Sequence, residues 1–209
     1  MNKICRFQAR ELTVEKRAVE GSVGKIAGLA AVFNQRANIY GLFEETIAPG
    51  AFSATIAEDD IRALHAHDSA MVLGRNKSGS LTLREATDGL GFELDLPDTN
   101  LGRDIYTLVS RGDISGMSIG FEVREENWTN PDPKSQVLPV RTIQRAKLWE
   151  VSTVAFPAYE GTSVGAREAE AAALELRSWR ESQKPPEIDA DASALVHFRA
   201  RLVAALGAL

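Results

Sequence analysis

The sequence predicts a mainly β domain with flanking α-helices and a helical C-terminal tail, and three observations carry that expectation. Turn-forming residues recur about every ten positions between residues 24 and 96, the rhythm of strands joined into a sandwich or barrel. One interval breaks that rhythm, because Leu101, Ile105, Leu108 and Val109 sit at helical spacing. Residues 167–183 are rich in Ala, Glu, Leu and Arg, which favour helix, and Pro185-Pro186 then forbids its continuation.

Residues 4–14 alternate loosely, and residues 24–33 read as a strand, with Ile26, Leu29, Ala31 and Phe33 between glycines. Residues 43–47 form another short strand, broken by Pro49-Gly50; residues 51–57 suit a brief helix, and residues 61–67 return to extended chain. Three further strands, 71–75, 81–85 and 90–96, make a meander with turns at Lys77-Ser78-Gly79 and Thr87-Asp88-Gly89. Asp98 and Thr99 are candidate caps for the helix carrying Leu101, and Arg111-Gly112-Asp113 stops it. Strands over 114–123 and 137–154 follow, separated by an exposed loop at Pro131–Pro133.

The expected organisation is a β-barrel domain over residues 1–165, a helix over 166–184, a linker over 185–192 and an amphipathic helix over 193–209. Asp191 or Ser193 can cap that last helix, whose Leu195, Phe198, Leu202, Ala205 and Leu209 make one apolar stripe. Such a stripe suits a partner helix or the chain's own domain, and its spacing does not choose between them.

A chain of 209 residues is long enough to bury a core. A formal net charge of -5 argues against a nucleic-acid or anionic-membrane surface, because such surfaces need basic patches to displace counterions. A protein partner is the better expectation. Cys5 is the one cysteine, so no intramolecular disulfide and no CxxC site can form. No N-terminal apolar stretch or membrane-length apolar window occurs. Gly21-Ser22-Val23-Gly24-Lys25 fails the spacing of a phosphate loop, and Ile26 stands where that loop needs a hydroxyl.

Three histidines, His65, His67 and His197, are the candidate bases. If Leu64-His65-Ala66-His67-Asp68 is a strand, His65 and His67 project from one face, as a base with a spare neighbour, a metal pair lacking a third ligand, or two surface rings. Ser115-Gly116-Met117-Ser118-Ile119-Gly120-Phe121 sets serines among glycines that let another backbone approach. A serine hydroxyl becomes a nucleophile only beside a base, so a catalytic Ser118 requires His67 within reach. Without that base, the segment is a tight strand crossing. Ser115, three residues away, would face the opposite side of a continuous strand. Glu150, alone in the apolar run Leu148-Trp149-Glu150-Val151-Ser152, needs a partner. On local grounds an arginine such as Arg111 or Arg145 is favoured slightly over an imidazole.

Taken in order, several segments resemble the HK97-type prohead protease family. They are Gly28-Leu29-Ala30-Ala31-Val32-Phe33; Glu45-Thr46-Ile47-Ala48-Pro49-Gly50-Ala51-Phe52; His67-Asp68 with Leu73-Gly74-Arg75; Gly89-Leu90-Gly91-Phe92 leading to Leu96-Pro97-Asp98-Thr99; Gly112-Asp113-Ile114 running into the serine segment; and Trp149-Glu150-Val151-Ser152 followed by Phe156-Pro157-Ala158-Tyr159. The resemblance spans residues 26–162. It implies a herpesvirus-protease-like fold, a closed or nearly closed β-barrel with flanking helices, and a serine endopeptidase that needs no cofactor or metal.

Carried over residue by residue, the family's histidine falls on His67 and its serine on Ser118, with Ser115 and His65 as alternatives. Its recurrent acidic position falls on Glu150, although the related herpesvirus enzymes use a second histidine as third member. The substrates implied are the scaffold or delta segment of the major capsid protein and the protease itself, inside the immature procapsid in the host cytoplasm. Related viral proteases often work as dimers, which leaves room for self-association that no stripe in this chain requires. The competing expectation is an inactive capsid assembly factor on the same fold.

Overall fold

The computed structural model describes residues 3–5, 12–15, 21–129, 137–155 and 165–183. The Pro131–Pro133 loop, Phe156-Pro157, the linker, the last helix and His197 lie outside them. The chain divides into two compact units, Met1–Ala172 and Ala173–Leu209. The first holds eleven described strands, β1 (Lys3–Cys5), β2 (Thr13–Glu15), β3 (Ser22–Val32), β4 (Ala37–Ile39), β5 (Phe43–Ile47), β6 (Arg62–His65), β7 (Asp68–Arg75), β8 (Leu81–Glu85), β9 (Gly89–Pro97), β10 (Gly116–Thr129) and β11 (Val140–Val154). Helices α1 (Ser53–Glu58) and α2 (Asn100–Arg111) interrupt them, and α3 (Gly165–Ser182) runs across the division between the units. No described helix is long and apolar enough to cross a membrane.

The described strands lie in two sheets, one of seven strands with the path β1-β10-β11-β5-β4 and β6-β7 attached to β11, the other of four in the order β2-β3-β9-β8. Their inner faces share one buried cluster: Ile26, Leu90, Phe92, Leu94 and Leu96 come from the smaller sheet, and Ile119, Phe121, Leu148 and Val151 from the larger. Phe52 joins them, with its ring 6.4 Å from Phe33 and 6.2 Å from Phe121. Mainly β structure with few helices is therefore what the turn rhythm foretold.

The centre of the larger sheet is the long antiparallel pair of β10 and β11. The far edge of β11 is completed piecemeal. Parallel β5 covers its first residues, from Val140 to Ile143, and parallel β6 covers Glu150 to Thr153. In the gap between them, Ala146 N–H donates to the Ala51 carbonyl at 2.9 Å and Leu148 N–H to the buried Thr55 hydroxyl at 2.9 Å. Ala51 and the short helix that follows it thus satisfy backbone donors that no strand reaches. At the β5 end, Arg141 and Glu45, both buried, pair at 3.2 Å. Breaking such a pair strands a charge in the interior.

Helix α2 begins as its cap residues foretold, with Thr99 Oγ1 accepting from Gly102 N–H at 3.1 Å, and it ends on Gly112 at φ 82°.

The segment around the histidines differs from the expected strand. Strand β6 stops at His65, which pairs with Asp68, and Ala66 and His67 form the two-residue turn between β6 and β7 with φ of 53° and 61°. Two positive φ values make a primed hairpin turn, a conformation that matches strand twist but favours Asn-Gly. Each costs a residue with a Cβ roughly 1–2 kcal/mol. His65 and His67 therefore do not stand on one face of a strand. The period-two reading failed because it carried a strand pattern through a turn with no glycine or asparagine to announce it.

Candidate active site

The first six residues of β10, from Gly116 to Phe121, are all buried. Met117, Ile119 and Phe121 enter the core. Gly116, Ser118 and Gly120 point to the other face, where their partners across β11 are Val154, Ser152 and Glu150. A bulge at Trp149 makes this alignment. Phe121 pairs with Leu148 while the preceding Gly120 pairs with Glu150, so β11 carries one extra residue and Leu148 can enter the core while Glu150 faces away from it.

On that face Glu150 Oε1 lies 2.7 Å from His67 Nδ1. A carboxylate can only accept, so Nδ1 carries the proton and Nε2 of the neutral ring is left as an acceptor. Both side chains are nearly buried, at 10% and 12% exposure, and Nε2 is a buried atom with no hydrogen-bond partner. The other carboxylate oxygen, Oε2, accepts from Ser152 Oγ at 2.5 Å. Ser152 Oγ in turn accepts from the backbone N–H of His67 at 3.2 Å.

Glu150 thus has an imidazole and a hydroxyl as partners, not the arginine that burial alone favoured. Arg111 pairs with Asp113 at 3.0 Å and Arg145 with Glu125 at 3.8 Å. His65 turns to a different neighbour, its Nδ1 lying 2.9 Å from Thr153 Oγ1. Ser115 precedes β10 and is exposed, whereas Ser118 is fully buried opposite Ser152. Side chains directly opposed across an antiparallel pair have Cβ atoms about 4.5–5.5 Å apart. Ser118 and His67 therefore both adjoin Ser152, but no hydrogen bond joins Ser118 to His67 Nε2, which has no partner among the described residues.

Gly120 admits the carboxylate, since a Cβ there would lie 2.3 Å from Glu150 Oε1. Neither Gly120 nor Ser152 stood out in the sequence for this role. The signal for Ser152 was present, because positions 150 and 152 share a strand face by the same period that failed at His67.

A histidine with one ring nitrogen held by a carboxylate and the other unpartnered, beside a strand bearing a buried serine, is an arrangement capable of proton transfer to and from a hydroxyl. A protein-family model described as Caudovirus prohead serine protease matches residues 11–176, most of the 209-residue chain, and the chain belongs to that family. No curated protein and no solved structure matched it. Membership places the chain among the serine proteases of phage capsid maturation, with a phage capsid protein as partner and the procapsid in the host cell as location.

Proposed function

We propose that the chain is the active maturation endopeptidase of a procapsid, with Ser118 as nucleophile, His67 as general base and Glu150 as the group that orients the imidazole. The observation that carries this reading is the 2.7 Å contact of His67 Nδ1 with Glu150, which leaves Nε2 without a partner. In the proposed cycle Ser118 Oγ attacks the scissile carbonyl while His67 Nε2 takes its proton. His67 then returns that proton to the leaving amine, and water, activated by the same ring, releases the acyl-enzyme. Glu150 stabilises the imidazolium throughout.

The substrates in this reading are the scaffold or delta segment of the major capsid protein and the protease's own C-terminal region. Residues 185–209 would dock to scaffold helices before being removed. The two sheets would be the halves of a herpesvirus-protease-like barrel, a reading supported by the packing of β10 near β3 and of β7 near β9.

The test is co-expression with the cognate major capsid protein, wild type against Ser118→Ala, followed by intact mass. Trimming of both proteins by wild type alone is expected, with turnover of the variant lower by roughly 10⁴-fold. Cleavage by both variants would move the nucleophile to Ser115. Absence of cleavage by either under assembly conditions would favour an inactive assembly factor.

A further inference from the structure

Resting on the catalytic reading above, we infer that Ser152 is a positioning residue that fixes His67 and Glu150 relative to one another through a single hydroxyl. A serine hydroxyl has one proton to give and two lone pairs to receive. In Ser152 the proton goes to Glu150 Oε2, and a lone pair takes the backbone N–H of His67. The carboxylate is thereby pinned by one oxygen with the other left for His67 Nδ1. The ring is held from its backbone by the same atom. No other described side chain has a hydrogen bond to both members of the pair.

The backbone conformation explains why such a fixture is needed. His67 and Ala66 occupy a left-handed turn that is uncommon for residues with a Cβ, and conformations of this kind persist only where surrounding contacts over-determine them. The contacts on the turn and its flank come from β11, from Glu150 on the His67 ring and from the consecutive residues Ser152 and Thr153. Ala66 N–H donates to the Thr153 carbonyl at 2.9 Å, His65 Nδ1 meets Thr153 Oγ1 at 2.9 Å, and His67 N–H meets Ser152 Oγ at 3.2 Å. His67 is reached by Glu150 at its ring and by Ser152 at its backbone, and Ser152 alone among these residues bonds both His67 and Glu150. Its location opposite Ser118 on the neighbouring strand puts the fixture beside the proposed nucleophile as well.

Two measurements test the assignment. In the first, cleavage of the cognate capsid protein is followed at several substrate concentrations. Ser152→Ala is expected to lower kcat by roughly 10²-fold, the size of effect that a small misplacement of reacting groups produces, with KM within about 3-fold. Ser152→Thr should recover most of kcat, whereas Ser152→Val, with the branched shape of Thr but no hydroxyl, should not. In the second, the full chain carries ¹⁵N-histidine and Ser118→Ala, so that the result does not depend on activity, and His67 is assigned by difference from a His67→Gln sample. Its ring should be the Nδ1–H tautomer at a pH where it is neutral, and addition of Ser152→Ala should mix the tautomers.

An unchanged tautomer, a kcat within about 3-fold of wild type, or equal activity of the Thr and Val variants overturns the assignment. Failure of the catalytic reading is seen separately, as cleavage that survives Ser118→Ala or as no cleavage by wild type. The tautomer measurement alone then decides the role of Ser152.

Discussion

Gly120 lies directly opposite Glu150 across β10 and β11, so close that a Cβ at position 120 would lie 2.3 Å from Glu150 Oε1 and 3.1 Å from its Cδ. The glycine is a steric condition for the carboxylate to reach His67. Gly120→Ala is expected to displace the carboxylate and lower kcat by about 10²-fold, because misplacement of this order disrupts catalytic geometry. The stability cost should be about 1–3 kcal/mol, typical of an overpacked interior. Cleavage rates and urea midpoints of the same preparation measure both, and a variant with normal rates would show that the carboxylate has room to move without consequence.

Glu150→Gln preserves shape but removes the charge that holds the ring tautomer. By analogy with other carboxylate-to-amide changes behind a catalytic histidine, turnover should fall by about 10³–10⁴-fold with the fold intact. The comparison is made by intact mass of the capsid protein over time and by circular dichroism. Near-normal cleavage would withdraw Glu150 from the mechanism.

Ala66→Gly tests the turn. Removing the left-handed penalty of an alanine, set against the greater backbone entropy lost by glycine, should raise stability by about 0.5–1 kcal/mol. Urea unfolding at neutral pH reads this directly. A loss of stability would mean that the alanine methyl makes contacts worth more than the strain at φ 53°.

Acid should weaken two charge clusters, an exposed one at Asp60 and a half-buried one at Glu93. Asp60, held bidentately by Arg75 at 2.7 and 2.6 Å, has its pKa lowered from 3.8 to about 2. Glu93, hydrogen-bonded by Lys25 and Arg84, has its pKa lowered from 4.5 to about 2. A depressed folded-state value means that each carboxylate contributes stability above its unfolded value, which is lost as pH falls from there through about 2. Asp60→Asn and Glu93→Gln should therefore be less stable than wild type at neutral pH, and the gap should close towards about pH 2. Because the Asp60 cluster is exposed, its gap should also narrow in about 0.5 M NaCl. Thermal melts across that range check it; a gap that widens in acid would contradict the sign.

The legibility of the chain followed the range of the interactions involved. Strand β5 and strand β8 were bounded correctly at residues 43–47 and 81–85, and the cap of α2 at Thr99 was foreseen, because alternation and capping act between residues a few positions apart. Strand β4 has no signature in the sequence: three residues, 37–39, are too few to show a period. The turn that divides residues 61–75 is not legible locally, because tertiary bonds from Ser152 and Thr153 hold Ala66 and His67 in it.

The sequence by itself determined the mainly β class, the positions of the helices α2 and α3, and a short set of residues with the chemistry to act, His67, Ser118 and Glu150 among them. Those are properties of residue type and local spacing. Only the tertiary structure decided that Glu150 meets His67 instead of an arginine, that His65 turns to Thr153, and that Ser152 stands between the members of the site. The physical reason is sequence separation: His67 and Glu150 are 83 positions apart, and what brings them together is a parallel pairing of β6 with β11 and one bulge at Trp149, neither of which leaves a periodic signature in the chain.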